Sequence, residues 1–430
     1  MLYLYNMCKK CLISSLVALA ALVSGCGSGT DGGERDPETL PDLLYAVPSD
    51  ALAVSCAGRS GDAIALLDST DRLRTLDLGA FRSAPAVLSM SYNGSLVPSL
   101  TIGTGQKDSS ASVTSALREA RRRGIYSAYF APDASEGRQG FLAFTVSESQ
   151  MTALKRHINS GSSVLDAPGF PQAAALTSGD DFTVIRNSGA GNLMPRGFLG
   201  GLFPRRSLAS FLHKAADWTV LVPEGGGEYR VRTAQGDSDS YFVNVLSSLP
   251  TGRSRLGEVL PDSVDFAMSL PVQGAAFREA YERYVDASVR MTAYTRRLSA
   301  LKTASGKDPL KWEKELDVTE VALVRWDGKT AVLLRPGKTL AGAGVEDNPY
   351  WGFIPALYGD AFSLADDSCR GVVCGWYAIG SREAVGELVR REEIRKDSGW
   401  PGRGCRFVIY NAGRFLAWDK KGMKLWNSSL

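Results

Sequence analysis

Histidine is almost missing from the chain, with only His157 and His213 in 430 residues. Neither stands in an H-E-x-x-H or other ligand spacing, so neither a histidine-held metal nor a histidine base has a recognisable setting. An excess of charge of one sign is missing too. There are 49 Lys and Arg against 46 Asp and Glu, and the longest basic block is the triplet Arg121, Arg122, Arg123. Nucleic acid needs a concentrated basic surface, so it is excluded as a partner, and the triplet reads as the end of a solvated helix. Long apolar runs are absent as well. The most extended, Cys11 to Val23, has 13 residues, where a membrane-spanning helix needs about 20. Seven cysteines are too few for a disulfide-dense scaffold of this length. What is present, 44% hydrophobic and 22% charged residues, is the composition of an ordinary globular protein of two or three domains at ~150 residues each.

The motifs of common chemistries are incomplete. Gly27-x-Gly29-x-x-Gly32 has the letters of a dinucleotide fingerprint but follows no strand, and the fingerprint works only at a strand-to-helix turn. Gly337-Lys338-Thr339 is the tail of a phosphate loop with Val332 in place of the upstream glycine and Pro336 among the amide donors. It reads as a hairpin exit. Ser299-x-x-Lys302 matches a serine-lysine pair one helical turn apart, without the S-D-N and K-T-G elements that complete such sites. Asp237-x-Asp239 lacks the further ordered oxygens of a calcium loop and reads as a solvated turn. No cofactor is implied.

The N-terminus carries Lys9 and Lys10, then the apolar run, then Leu22-Val23-Ser24-Gly25-Cys26. A charged start, a short apolar core and small residues make an export signal over residues 1–25. Small residues just before a cysteine resemble the lipobox of bacterial lipoproteins, a resemblance that covers the signal region, and the body resembles a two-repeat envelope lipoprotein. That resemblance implies cleavage before Cys26, a diacylglyceryl group on its thiol, and acylation, often by palmitate, of the new amino terminus. Several acyl chains at ~0.8 kcal/mol per buried methylene hold a protein on a membrane without a spanning helix. Cys26 is thus an anchor, and outer-membrane placement is the expectation from the resemblance. Residues 26–43, beginning Cys26-Gly27-Ser28-Gly29, read as a flexible tether.

Four cysteines remain beyond the anchor: Cys56, Cys369, Cys374 and Cys405. An oxidising envelope favours disulfides, and the closeness in sequence of Cys369, Cys374 and Cys405 predicts at least one bridge among them. No C-x2-C supports zinc in their place.

Self-comparison predicts two related α+β lobes, residues 44–240 and 250–430, each an antiparallel or mixed sheet backed by helices. Val47-Pro48-Ser49-Asp50 precedes a strand from Ala51 to Cys56 and a helix carrying Ile64, Leu67 and Leu73. Leu260-Pro261-Asp262-Ser263 precedes a strand from Val264 to Leu270 and a longer helix. Asn93-Gly94 and Asp327-Gly328 each join two strands and suit a type I′ turn. Ala167-Pro168-Gly169-Phe170 and Asn348-Pro349-Tyr350-Trp351 occupy the next matching slots. Helices opened by Ser207 and Ser381 follow, then closing hairpins at 218–233 and 406–418. The first half inserts a helix near 111–123, strands at 126–130 and 141–146, and a helix from Ser147 to Gly161. The second half lengthens its first helix, along which Phe277, Tyr281, Tyr284, Met291, Tyr294, Leu298 and Leu301 fall at helical spacing.

All eight tryptophans lie from Trp218 onward. Most are expected in the core of the second half, but Trp326 beside a turn and Trp400 in a Gly/Pro loop are the candidates for an exposed glycan- or protein-binding surface. The apolar-basic segment 192–206 is a second candidate surface, half-buried or in contact with a membrane or partner. An anchor without a catalytic set points to binding or scaffolding rather than turnover. The alternatives are an envelope hydrolase with carboxylates dispersed in sequence and an assembly or chaperone-like accessory protein.

Overall fold

A computed structural model of the chain describes residues 41–67, 71–92, 94–105, 110–132, 138–187, 216–235, 239–249, 251–272, 274–338, 344–390, 399–419 and 422–428. The signal, Cys26, Ser207, His213 and the 192–206 segment lie outside the described residues. No described helix is long and apolar enough to cross a membrane. The fold is α+β, with antiparallel sheets, and the chain divides into two compact units.

The first unit holds the described residues up to 187 and residues 217–235. Its strands are β1 (Ala53–Ala57), β2 (Ala86–Tyr92), β3 (Leu96–Gly103), β4 (Tyr126–Phe130), β5 (Phe141–Thr145), β6 (Phe182–Arg186), β7 (Trp218–Gly225) and β8 (Glu228–Ala234). They pair antiparallel in the order β4-β5-β3-β2-β1-β6-β7-β8. Its helices are α1 (Ser60–Ala65), α2 (Ser110–Arg122), α3 (Glu148–Ser160) and α4 (Phe170–Ala175). Alternate residues face opposite sides of the pleat, and both sides are apolar. Val54, Cys56, Val87, Val184 and Val220 join α4 residues in one core cluster, while Leu88, Leu100, Ile102, Leu142 and Phe144 join α1 and α2 residues in another. α3 starts where the sequence predicts. The Ser147 hydroxyl accepts the Gln150 N–H, and Gly161 ends the helix at φ 69°.

The second unit contains β9 (Gly252–Arg253), β10 (Phe266–Pro271), β11 (Val318–Trp326), β12 (Lys329–Pro336), β13 (Glu346–Asp347), β14 (Cys369–Val373), β15 (Trp376–Gly380), β16 (Arg403–Cys405), β17 (Phe407–Asn411), β18 (Arg414–Asp419) and β19 (Gly422–Asn427). β9 and β16 pair with each other. The main order is β13-β14-β15-β12-β11-β10-β17-β18-β19, again antiparallel throughout. Its helices are α5 (Phe242–Ser248), α6 (Gly274–Ala287), α7 (Met291–Ser305), α8 (Pro309–Leu316), α9 (Phe353–Tyr358) and α10 (Arg382–Val389). Three of its hairpins turn on two residues that both have positive φ: Asp327-Gly328, Cys374-Gly375 and Ala412-Gly413. That geometry matches the strand twist, and glycine supplies its second position without strain.

Apart from the two-residue β13 at its edge, the second order repeats the first, with β14 in place of β4 and β10 in place of β1. The correspondence is not the one that the punctuation suggests. The stretch from α2 to α3, expected to be an insertion, is matched by β14, β15 and α10, and the counterpart of the Ser147 cap is Ser381, whose hydroxyl accepts the Ala384 N–H. The Pro168 and Pro349 segments resemble each other only locally. Each leads into a six-residue helix capped by a left-handed glycine, Gly169 or Gly352, but α4 precedes β6 whereas α9 precedes β14. At Gly169, with φ 78°, a Cβ would come within 3.0 Å of the Trp218 indole nitrogen. The closing hairpins at 218–233 and 406–418 also differ by one strand position, β7–β8 against β17–β18.

The long helix of the second half is two helices. Val289, at φ 56°, breaks the stripe between α6 and α7. Its first part is core: Phe277, Tyr281 and Tyr284 are buried, and Phe242 of α5 meets Tyr284 edge-on at 5.4 Å.

Candidate functional site

The two tryptophans expected at a surface are packing residues. Trp326 is 1% exposed and donates its indole N–H to Glu387 Oε1 at 2.8 Å, while Lys329 pairs with the other oxygen of Glu387 at 3.0 Å. Trp400 packs against the same core and donates to Ser254 Oγ at 2.7 Å, with Phe415 edge-on at 5.7 Å. An indole whose N–H finds an acceptor within the fold gains from burial, so Trp326 is enclosed and Trp400 is half-buried. Trp326→Phe is expected to lower stability by about 1–2 kcal/mol through loss of that hydrogen bond. Unchanged thermal melting would contradict the contact.

The predicted bridge among Cys369, Cys374 and Cys405 is not formed; none of the three, nor Cys56, is in a disulfide. Cys369 opens β14 and Cys374 follows its last residue, so on the order of 13 Å of strand separates them, beyond the ~7 Å a disulfide tolerates. Cys405 points its sulfur at the Pro401 carbonyl, 3.2 Å away. Burial pushes the Cys405 thiol up to about 11 and raises Cys374 as well. Both stay protonated at neutral pH, the opposite of a reactive thiolate.

The remaining motif residues have structural surroundings. His157 sits in the last turn of α3. Lys302 pairs with Asp308 at 2.9 Å, and the Gly337 N–H donates to Asp317 O as β12 ends. Among the described residues no group of three or more His, Cys, Asp or Glu is placed to hold a metal ion.

A different constellation forms in the second unit, around a cavity of about 280 Å³. Its parts arrive from separate elements: Lys307 from the α7–α8 turn, Trp312 and Glu315 from α8, Glu346 from β13, Tyr350 from the turn into α9, Arg370 from β14 and Tyr377 from β15. α8 is set by Asp308, whose carboxylate accepts the Leu310 and Lys311 N–H groups, and by Pro309 in the first turn. Trp312 is buried and lies 5.5 Å from the Tyr350 ring and 6.4 Å from Tyr377. The aromatic floor is therefore rigid.

The rim is charged and internally paired. Arg370 donates to Tyr377 Oη at 2.8 Å and to Glu346 Oε2 at 2.9 Å, with its guanidinium 5.8 Å from the centre of the Tyr350 ring. Lys307 pairs with Glu315 at 2.6 Å and lies 5.7 Å from the same ring. Burial raises the Tyr377 phenol, with Arg370 opposing it, so the phenol remains neutral. The Lys307 ammonium holds the Glu315 carboxyl below the usual range. Trp351, which follows Tyr350 in sequence, is 53% exposed. Sequence reasoning missed these residues because they span Lys307 to Tyr377 without a motif; the indole that does face solvent, Trp351, was among the eight noted.

No protein-family model, curated protein or solved structure matches the chain.

Proposed function

We propose that the protein is an envelope lipoprotein, anchored through Cys26 and placed at the outer membrane, whose second unit binds a glycan without transforming it. The matching strand orders support a further part of this reading, that the two units descend from one duplicated α+β unit. The observation that carries the binding role is the cavity floored by Trp312, Tyr350 and Tyr377 and rimmed by Arg370, Glu346 and Lys307. Pockets for drug-sized ligands run from about 300 to 1,000 Å³, so this one suits a single ring of a longer chain. A sugar ring offers an apolar face to an aromatic floor and hydroxyls to a polar rim, and paired charges serve as donors and acceptors without leaving an ion unpaired.

Hydrolysis of a glycoside needs a carboxyl raised enough to act as an acid. Glu315 is pushed the other way. Among the described residues, the carboxyl that burial does raise, Glu320, does not line this cavity. Binding is the better-supported reading.

The test uses chitotriose, three linked N-acetylglucosamine rings, as the probe. Titration is expected to change the tryptophan fluorescence saturably, and Tyr350→Ala is expected to weaken binding at least tenfold, about 1.4 kcal/mol. No saturable change with this or other envelope oligosaccharides, or equal affinity in Tyr350→Ala, would sink the assignment. The anchor is tested separately: acyl label should follow the purified chain and vanish in Cys26→Ser.

A further inference from the structure

A larger concavity, about 540 Å³, lies elsewhere in the second unit, and its walls are basic. Arg253 comes from β9, Arg255 from the turn after it, and Arg335 from the end of β12; Asp317 is the acidic residue among those lining it. Three arginines against one aspartate leave the lining with two positive charges in excess.

Two of these arginines differ from Arg370 of the aromatic cavity in being unspent. Among the described residues, neither the Arg253 nor the Arg335 guanidinium has a hydrogen-bond or ion-pair partner, and Arg255 has only Glu258, at 3.8 Å. Arg335 is half-buried, so its charge is partly withdrawn from water; the buried Glu320 feels that charge, but among the described residues no carboxylate forms an ion pair with the guanidinium. The loop that carries the other two is not free to drift. The buried Glu320 accepts the Arg255 N–H at 2.8 Å and the Ser254 hydroxyl at 2.6 Å, and β9 is paired with β16. Arginines on a backbone so held, two of them without a partner among the described residues, line one concavity and can each offer a planar or tetrahedral oxyanion two parallel N–H donors. The first turn of α6, at Gly274 and Ala275, borders the same space, and a helix N-terminus carries partial positive charge.

We propose that this concavity binds a phosphate-bearing ligand through Arg253, Arg255 and Arg335. Its volume leaves room for an organic body behind the phosphate. The inference does not depend on the glycan reading, because it rests on different residues and a different cavity.

The experiment uses the full chain in neutral detergent micelles and two probes: soluble inorganic pyrophosphate, and phosphatidic acid doped into the micelles. Binding is read by thermal shift and by broadening of the phosphorus resonance, against sodium chloride at matched ionic strength. Wild type is expected to bind at least one probe. Arg335→Gln and Arg253→Gln are each expected to weaken it roughly tenfold or more, the scale of one charged hydrogen bond. Arg335→Lys should recover part of the loss, since it keeps the charge but not the fork. Binding of phosphatidic acid alone assigns the ligand to a lipid headgroup, and binding of pyrophosphate alone to a soluble phosphate ester; either supports the proposal. No binding above the chloride control, or equal binding by the folded Arg253→Gln/Arg335→Gln double variant, overturns it.

Discussion

Arg278→Ala is expected to destabilise the second unit by about 3–5 kcal/mol, the usual cost of leaving one half of a buried ion pair behind. Arg278 on α6 and Glu313 on α8 are only 14% and 13% exposed, and the guanidinium donates to both carboxylate oxygens, at 2.6 and 3.2 Å. Its remaining nitrogen donates to Tyr294 Oη on α7 and to the Leu357 carbonyl on α9, each at 3.0 Å. Burial alone would depress the guanidinium, but Glu313 beside it more than reverses that, and the net shift is upward. One side chain therefore joins four helices. Truncation strands the Glu313 carboxylate among the rings of Tyr281 and Tyr358, which flank Arg278 at 5.7 and 5.9 Å. Denaturant unfolding of Arg278→Ala measures the loss. Replacing both partners by methionine should recover most of it, because the desolvation of both charges disappears together. A loss below about 1 kcal/mol in Arg278→Ala would mean that the pair is open to water.

Much of this architecture was legible where the chemistry is local. The Asp327-Gly328 dipeptide needs positive φ at both residues and has it; Ser147 and Ser381 cap helices because their hydroxyls reach N–H groups three residues on. Local signals could not decide which pieces correspond. The Gly169 and Gly352 helices look alike because a glycine followed by phenylalanine makes the same cap in both, yet they occupy different places in the strand order. Helical spacing ran through Val289 because periodicity registers side chains and not the one backbone angle that ends α6.

The candidate site was less legible for the same reason. Tryptophan content drew attention to Trp326 and Trp400, but exposure of an indole depends on whether an acceptor waits inside, and Glu387 and Ser254 are 61 and 146 residues away from them. Proximity in sequence likewise suggested a disulfide, whereas an extended strand carries Cys369 and Cys374 apart. Pairing across β12, β14 and β15 brings Arg370 and Tyr377 beside α8, and no spacing along the chain announces that.

Glu320 should make stability fall as pH rises, and Glu320→Gln should abolish that component. The side chain is fully buried on β11. Burial raises its carboxyl, against the opposing pull of the Arg255 N–H, the Ser254 and Ser269 hydroxyls, and the charge of Arg335. An unfolded chain releases the proton at the ordinary value, near 4.3, while the folded protein retains it to higher pH. Above the ordinary value the unfolded state therefore binds fewer protons, and its free energy drops relative to the native state with each further pH increment. The stabilisation is complete below the ordinary carboxylate range and is lost up to the raised folded value. Glutamine suits the pocket without titrating. Its amide can donate to the Ser254 and Ser269 oxygens, where the glutamate oxygen now lies at 2.6 and 2.5 Å, while its carbonyl takes the Arg255 N–H. The stability difference between Glu320→Gln and wild type, from urea unfolding across pH 5 to 9, should thus grow in favour of glutamine as pH rises. Glu320→Ala should be less stable than either at pH 5, by about 2–4 kcal/mol, because it leaves a buried N–H and two hydroxyls short of a partner. A pH-independent difference between wild type and glutamine would mean that the native carboxyl is already ionised, its charge held by Arg255, Ser254 and Ser269 in spite of burial.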